Sequence, residues 1–171
     1  MILIAIGANL PAEAGASPAE TCEEAVKAVC AIPGLHLLAQ SPWYRSQAIP
    51  VSDQPDYCNG AILMTGDIAP HALLGALQEI ENQFGRVRSV PNAARTLDLD
   101  IIDIEAFVSK APELLLPHPR AHERAFVLRP LLDVAPAWFH PLLGQSGAAL
   151  LNALPKQNIK LWHDIPVVKG V

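Results

Sequence analysis

The run Leu97–Ile101 reads LDLDI, and its strict alternation is typical of a β-strand with one apolar and one polar face. Residues i and i+2 of a strand point to the same side about 7 Å apart, so Asp98 and Asp100 project together while the apolar residues face the core. Two carboxylates at this spacing repel each other unless a cation lies between them. A hard divalent ion such as Mg²⁺ prefers oxygen ligands. The run therefore predicts a sheet strand that carries a metal site.

Arginines are concentrated near this strand in an otherwise acidic chain with a net charge of −5. Six of the seven arginines lie between positions 86 and 129, and Arg95 precedes Asp98 by three residues. The guanidinium fork binds phosphate oxygens well, so the pattern favours a local pocket for an anion such as a polyphosphate. The alternative is a solvated strand face with surface ion pairs, which are common and weak. Arg120 and Arg129 are interpreted as solvated charges.

Composition limits the class of protein. With 171 residues, 51% of them hydrophobic, the chain predicts one folded domain, and its acidity argues against broad nucleic-acid binding. Cys22, Cys30 and Cys58 show no C-x-x-C spacing, which favours buried, reduced thiols over a zinc site or disulfides. No apolar run approaches the length of a membrane span. We expect a cytoplasmic monomer without membrane or nucleic-acid partners.

Hydrophobic periodicity predicts the order β-α-β-β-α-β, which is the ferredoxin-like arrangement of an α+β fold with both helices on one face of an antiparallel sheet. Ser17-Pro18-Ala19-Glu20 forms a capping box at the start of the first helix. The predicted elements are a strand Met1–Ile6, a helix ending at Pro33-Gly34, strands His36–Arg45 and Tyr57–Thr65, a helix from Pro70 to Gly85, and the Asp98–Asp100 strand.

Beyond Glu105 the frequent prolines predict an irregular, partly helical C-terminal extension. We expect short helical turns at Arg120–Arg124 and Leu128–Leu132 and a last helix at Leu142–Leu154. No element is predicted for the tail from Lys156 onward.

Several short motifs occur together in one order along the chain. They are Gly7-Ala8-Asn9-Leu10, Tyr44-Arg45-Ser46, Gln54-Pro55-Asp56-Tyr57-Cys58-Asn59, Glu81 with Gly85-Arg86-Val87-Arg88, Arg95-Thr96-Leu97-Asp98-Leu99-Asp100, Leu116-Pro117-His118-Pro119, and Arg124-Ala125-Phe126-Val127-Leu128 with Pro130-Leu131. Each motif is weak alone, but together they resemble the 6-hydroxymethyl-7,8-dihydropterin pyrophosphokinases of folate synthesis. The resemblance covers residues 1 to about 155.

The resemblance implies transfer of pyrophosphate from ATP to the hydroxymethyl group of a dihydropterin, with release of AMP. It implies that Asp98 and Asp100 bind two Mg²⁺ ions and act in catalysis with Arg86 and Arg95. The residues implied to bind ATP, a co-substrate, are Gln78, Glu81, Arg86, Arg88, Arg95, His118 and Arg124. Those implied to bind the pterin are Ser46, Ala48, Ile49, Tyr57, Asn59 and Phe126, the first three through backbone groups.

Physical chemistry alone supports these roles unevenly. A flat, polar pterin needs aromatic faces and an edge of hydrogen-bond partners, which Tyr57 and the amide of Asn59 would supply. A lone His118 is more often a surface or capped residue, and a lone Phe126 more often belongs to the core. Gln78 and Glu81 also have an ordinary interpretation as surface residues of a helix.

The sequence departs from the family pattern in the loop that would close over the substrates. The run Pro91–Arg95 is shorter by about one residue and lacks a tryptophan, and Ser89 stands where a basic residue is common. Lid closure excludes water from such sites, so an ATP-binding but inactive relative is one alternative. A ferredoxin-like RNA-binding module is another, although nine aromatic residues and a charge of −5 give it little support.

Overall fold

The computed structural model describes residues 1–11, 15–86, 94–105 and 107–162. The helices are α1 (Pro18–Cys30), α2 (Pro70–Gln83), α3 (Ala125–Val134) and α4 (Gly147–Ala153), with a 3₁₀ turn at Ala121–Glu123. The strands are β1 (Ile2–Ala8), β2 (Leu35–Gln40), β3 (Tyr44–Ser46), β4 (Tyr57–Gly66), β5 (Asp98–Ile104), β6 (Ser109–Ala111), β7 (Leu114–Leu116), β8 (Phe139–His140), β9 (Gln145–Ser146) and β10 (Ile159–Leu161).

The central sheet is antiparallel and is organised around β4 and β1. Its order is β10-β3-β4-β1-β5, and β2 pairs with β4 beyond the segment that pairs with β3. The strands β6 and β7 form a separate hairpin, as do β8 and β9. The combination of helices with an antiparallel sheet confirms the predicted α+β class.

The two faces of the sheet are covered by different parts of the chain. One core lies between the sheet and the first two helices, and includes Cys22, Val26 and Val29 of α1, Leu73, Leu77 and Ile80 of α2, and Leu99 and Ile101 of β5 with the preceding Leu97. On the other face α3 and α4 contribute Val127, Leu128, Leu131 and Leu150 to a second core. The helices of the first part thus share one face as predicted, and the C-terminal chain fills most of the other.

Local sequence signals explain the boundaries of α1 and α2. The hydroxyl of Ser17 accepts from the backbone N–H of Glu20, whose carboxylate accepts in return from the Ser17 N–H at 2.8 Å, so the predicted capping box is present. Pro70 opens α2, and Gly85, with φ of 75°, ends its last turn in a left-handed conformation that favours glycine.

The predicted single strand His36–Arg45 is wrong, because the chain forms two strands there. Pro42 has no N–H to donate to the sheet. At the break the Ser41 hydroxyl accepts from the N–H of Ala61 at 2.9 Å and thereby replaces a ladder bond. The break gives β4 two successive partners along one edge.

The C-terminal extension differs from the prediction in three places. The expected turn Leu128–Leu132 belongs to the ten-residue helix α3, which includes Pro130. The helix expected at Leu142–Leu154 is confined to α4, because Ser146 caps it through the N–H of Ala149 at 3.2 Å. The tail contributes β10, which no periodicity indicated.

The thiols are free, but the prediction that all three are buried is wrong for Cys30, which lies exposed at the end of α1. Cys22 and Cys58 are fully buried, and burial raises the pKa of the Cys22 thiol well above its ordinary value, with a further contribution from Cys58. Among the described helices, none has the length and apolarity needed to cross a bilayer.

Candidate active site

An open cavity of about 210 Å³ lies where β1, β4 and β5 meet the loop after β3 and the start of α3. Ten residues singled out from the sequence line it: Ser46, Ala48, Ile49, Tyr57, Asn59, Arg95, Asp98, Asp100, Arg124 and Phe126. The structure therefore gathers the proposed pterin residues and the paired aspartates into one pocket.

The two aspartates share a face of β5, as the alternation predicts. Their neighbours across the ladder on β1 are small, with Gly7 opposite Asp98 and Ala5 opposite Asp100. A Cβ at Gly7 would lie 3.3 Å from the side-chain oxygen of Asn59. Small residues on β1 thus leave space in front of the carboxylates.

Asp98 is bound by two arginines. The guanidinium of Arg86 lies 2.8 Å from one Asp98 carboxylate oxygen, and Arg95 donates to the other. Arg86 also forms an ion pair with Glu81, which is buried and accepts from the backbone N–H of Leu99 at 2.8 Å. This chain of alternating charges fixes the start of β5 against the end of α2.

Asp100 has a different environment. Burial at the base of the pocket, followed by the nearby negative charge of Asp98, raises the pKa of Asp100 to about 7. Arg124 and Arg95 oppose this shift only in part. A carboxyl group whose pKa lies near 7 in a cavity is typical of a site that binds a cation.

Positive charge surrounds the mouth of the pocket. Burial, and then the neighbouring Arg120, lowers the pKa of Arg124, so its charge is poorly compensated by the protein. Burial and the charge of Arg124 also lower the pKa of His118 to about 4, which leaves its imidazole neutral at physiological pH. Burial opposes the charged form of Arg95, but Asp98 and Asp100 nevertheless raise its pKa. Such an arrangement attracts an anion with several oxygens.

The proposed pterin wall is polar at its base and aromatic at its sides. The amide of Asn59 donates to the hydroxyl of Ser46 at 2.8 Å, and both residues are buried. The hydroxyl of Tyr57 donates to Gln54 at 3.4 Å, while the guanidinium carbon of Arg124 lies 5.8 Å from the ring centre of Phe126. The pocket can therefore hold a flat heterocycle beside a phosphate group.

Four predicted nucleotide residues, Gln78, Glu81, Arg86 and His118, do not line this cavity. Glu81 and Arg86 act on it indirectly through Leu99 and Asp98, and His118 is attached to β5 by its backbone N–H, which donates to Ile102 at 2.8 Å. Gln78 lies half-buried on α2. Arg88 and most of the altered loop, Ser89 to Ala94, lie outside the described residues.

Sequence reasoning missed the role of Asn9, which is 1% exposed. Its side-chain oxygen accepts from the N–H of Arg95 at 2.8 Å, and its amide donates to Gln54 at 3.2 Å and to the carbonyl of Pro55 at 3.1 Å. Asn9 therefore joins the segment that carries Arg95 to the loop beside Tyr57. The signal in the sequence for this role was the position of Asn9 in a turn just after a buried strand.

Arg120, interpreted from the sequence as a solvated charge, is exposed, and it also lines the pocket together with Glu123. The turn before α3 brings it beside Arg124, and no local pattern in the sequence indicates that turn's direction.

The residues present fit a magnesium ion. Among the described residues, no group of three or more His, Cys, Asp or Glu side chains could enclose a metal. Two carboxylates suffice for Mg²⁺, however, because it usually keeps several waters and shares its remaining ligands with substrate phosphates. A cation bound there would favour the charged form of Asp100, which burial and the charge of Asp98 disfavour.

A family model described as 7,8-dihydro-6-hydroxymethylpterin-pyrophosphokinase matches residues 3–136. The chain belongs to this pyrophosphokinase family. It is 39% identical over 159 residues to the 2-amino-4-hydroxy-6-hydroxymethyldihydropteridine pyrophosphokinase of Pseudomonas aeruginosa, covering 93% of this chain and 94% of the relative.

Other relatives are longer than this chain. It is 36% identical over 143 residues to the folic acid synthesis protein fol1 of Schizosaccharomyces pombe. This match covers 84% of this chain but only 20% of that protein. A solved HPPK-DHPS of Plasmodium falciparum superposes with a TM-score of 0.61 at 12% identity, covering 88% of this chain and 43% of that one. The structural likeness supports the fold. Membership of the pyrophosphokinase family excludes the RNA-binding alternative.

Proposed function

We propose that this chain transfers pyrophosphate from ATP to the hydroxymethyl group of 6-hydroxymethyl-7,8-dihydropterin and releases AMP. The observation that carries the proposal is the single pocket in which Tyr57, Asn59 and Phe126 lie beside Asp98 and Asp100. One side suits a flat polar heterocycle and the other suits a metal-bound phosphate chain. The name of the Pseudomonas aeruginosa relative agrees with this reaction.

The pterin half of the pocket would orient the acceptor hydroxyl. Tyr57 and Phe126 would contact the faces of the ring, and Asn59 would meet its edge, held in place by its bond to Ser46 at 2.8 Å. Ala48 and Ile49, which line the same wall, would contribute backbone groups. Fixing the hydroxyl near the phosphorus replaces an encounter in solution with a step inside one complex.

The phosphate half would stabilise charge on the pyrophosphoryl group. Asp98 and Asp100 would hold two Mg²⁺ ions, which when bound neutralise the attacking and leaving oxygens of an in-line displacement. Arg95 and Arg124 face the same cavity and would bind phosphate oxygens, while Arg86 would steady Asp98. The bond from the pterin oxygen to the β-phosphorus would form as the bond from that phosphorus to the departing oxygen of AMP breaks, and the hydroxyl proton would pass to solvent.

The test is an assay with ATP, Mg²⁺ and the dihydropterin that separates AMP from ADP. Pterin-dependent AMP, lost in Asp100→Asn, is the expected result. ADP without AMP would contradict the proposed reaction. Nucleotide binding without turnover would favour the inactive relative suggested by the loop Ser89–Ala94.

We also propose finer features of the molecule. The order β5-β1-β4 followed by the β2 and β3 edge agrees with a ferredoxin-like core in which one strand is broken. A single domain over residues 1–171 is supported by the pairing of β10 with β3. We propose a monomer, and the free thiols agree with a cytoplasmic location. Sedimentation would test the monomer.

A further inference from the structure

The C-terminal strand β10 lies directly across β3 from the proposed pterin residues. The register pairs Ile159 with Ser46, which in turn pairs with Tyr57. Two residues along, Leu161 pairs with Tyr44, and Tyr44 with Asn59. The same row continues from Asn59 through Gly7 to Asp98. A strand far from the pocket in sequence therefore ends the row of residues that crosses it.

Three contacts hold β10 in this place. The backbone N–H of Trp162 donates to the carbonyl of Trp43 at 2.8 Å. The guanidinium of Arg45 lies 4.3 Å from the centre of the Trp162 ring, within range of a cation–π interaction. Trp162 also packs against the core beneath α1 and α2. The strand is thus fixed at its end by one aromatic side chain.

The strand that β10 covers is short and carries the pocket wall. β3 has three residues, and its last, Ser46, is 2% exposed and holds the Asn59 amide at 2.8 Å. The residues that follow Ser46, including Ala48 and Ile49, line the cavity. Without β10, β3 would be an edge strand whose end is free to fray, and fraying would release both Ser46 and the loop.

We propose that β10 and Trp162 form a positioning element for the pterin half of the pocket. The inference rests on the proposed function of that half. β10 touches no substrate; it sets the conformation of β3, and through Ser46 and Asn59 it sets the affinity for the pterin ring. ATP, whose proposed ligands Arg86 and Arg95 meet Asp98 on the other side of Gly7 in this row, should be little affected.

Proline scanning separates this role from general stability. Paired residues in an antiparallel ladder alternate between hydrogen-bonded and non-hydrogen-bonded, so the Trp162 bond makes Lys160 and Arg45 the next hydrogen-bonded pair. Lys160→Pro removes a donor to β3. Leu161→Pro is the matched control, because its N–H points away from β3 and its side chain is 48% exposed.

In full-length protein, we expect Lys160→Pro to raise the KM and the Kd for the dihydropterin by about fivefold to tenfold, as loss of one backbone bond would. The KM for ATP and kcat should stay within about twofold, and Leu161→Pro should resemble the wild type. Equal KM for the pterin in the two proline variants would overturn the inference. An equal rise in both substrates' KM would overturn it as well.

Trp162→Ala and Trp162→Phe give a second test if Lys160→Pro does not fold. Alanine removes the cation–π contact and should raise the pterin Kd, and phenylalanine should restore most of the affinity. Failure of phenylalanine to improve on alanine would count against the role of Trp162. Binding titration of the pterin needs no turnover, so a wild type that binds the pterin without forming AMP would contradict the reaction and leave this inference standing.

Discussion

Asp100 is the residue at which stability and function oppose each other. Its folded-state pKa of about 7 lies above the ordinary value of 3.8, so the folded chain binds a proton more tightly than the unfolded chain does. The stabilising contribution is complete below about pH 4 and is lost as the pH rises through 7. Above that pH the metal-free fold carries a buried negative charge at a free-energy cost.

We therefore expect Asp100→Asn to raise the Tm of metal-free protein at pH 8 by roughly 5 °C, which corresponds to about 1 to 3 kcal/mol in a chain of this size. At pH 4 the variant should have no advantage, because both side chains are then uncharged. Pterin-dependent AMP formation should be lost at every pH. Differential scanning fluorimetry in a pH series, with the AMP assay, measures both effects.

Asp98→Asn is the matched control. Asp98 already forms ion pairs with Arg86 and Arg95, so removing its charge takes the ion-pair partner from the partly buried Arg95 and leaves Arg86 with Glu81 alone. This variant should also lose activity, but its Tm at pH 8 should fall. If both variants shifted Tm in the same direction, the different electrostatic environments assigned to the two aspartates would be wrong.

Asn9 provides a prediction that concerns geometry. Asn9→Ala leaves the N–H of Arg95 and the carbonyl of Pro55 without their partner, so we expect kcat to fall by roughly tenfold to a hundredfold as Arg95 shifts. Asn9→Asp keeps the acceptor for Arg95 but places a carboxylate against Gln54 and Pro55. It should raise the pterin KM more than it lowers kcat. Identical kinetics of the two variants would contradict a bridging role.

At the scale of elements, the sequence predicted the helices and strands that have a local pattern of their own. It missed those that depend on a neighbouring strand. The α1 cap follows from Ser17 and Glu20 alone, and β5 follows from alternation over five residues. The interruption at Pro42 depends on the Ser41 bond to Ala61 in another strand. β10 has no amphipathic pattern of its own, and it is a strand because β3 offers it an unpaired edge.

At Gly60 of the sheet an added methyl group has no space. A Cβ at Gly60 of β4 would lie 2.4 Å from a ring carbon of Trp43. The indole is 6% exposed and donates to Glu23, so it has no space into which to move. We expect Gly60→Ala to lower the unfolding free energy by about 1 to 3 kcal/mol. Urea denaturation would measure this loss.

Gly75→Ala serves as the control for Gly60→Ala. A Cβ there meets nothing within 4 Å, and alanine favours the middle of α2, so this variant should be neutral or more stable. A Gly60→Ala protein as stable as the wild type would show that Trp43 is less tightly held than its contacts indicate.

At the scale of the whole molecule, motif position predicted which residues meet but not how they are connected. Ten of the predicted residues share one cavity. The strands β1, β4 and β5 bring residues 7, 59 and 98 into one row, and the end of β3, the loop after it and the start of α3 supply the rest. The bridging role of Asn9 and the place of Arg120 at the pocket were not predicted, because they come from a turn and a loop whose directions only the tertiary fold sets. Glu81 was assigned to the nucleotide, yet within the described structure it supports β5.

The same connections predict how ligands stabilise the protein. Because Arg86 and Arg95 already neutralise Asp98, Mg²⁺ alone should bind weakly and change Tm by less than about 1 °C. A non-hydrolysable ATP analogue would draw the arginines to its phosphates and free Asp98 for the metal. Together they should raise Tm by about 5 to 10 °C at a hundredfold excess over Kd.

Arg95→Gln tests whether the binding of Mg²⁺ depends on the nucleotide or the two ligands bind independently. Removing one guanidinium from Asp98 should enlarge the shift produced by Mg²⁺ alone, while it reduces the shift produced by the analogue with Mg²⁺. A wild-type protein stabilised as much by Mg²⁺ alone as by both ligands would mean that the two arginines do not hold Asp98 in solution. The carboxylate pair would then bind metal independently of the nucleotide.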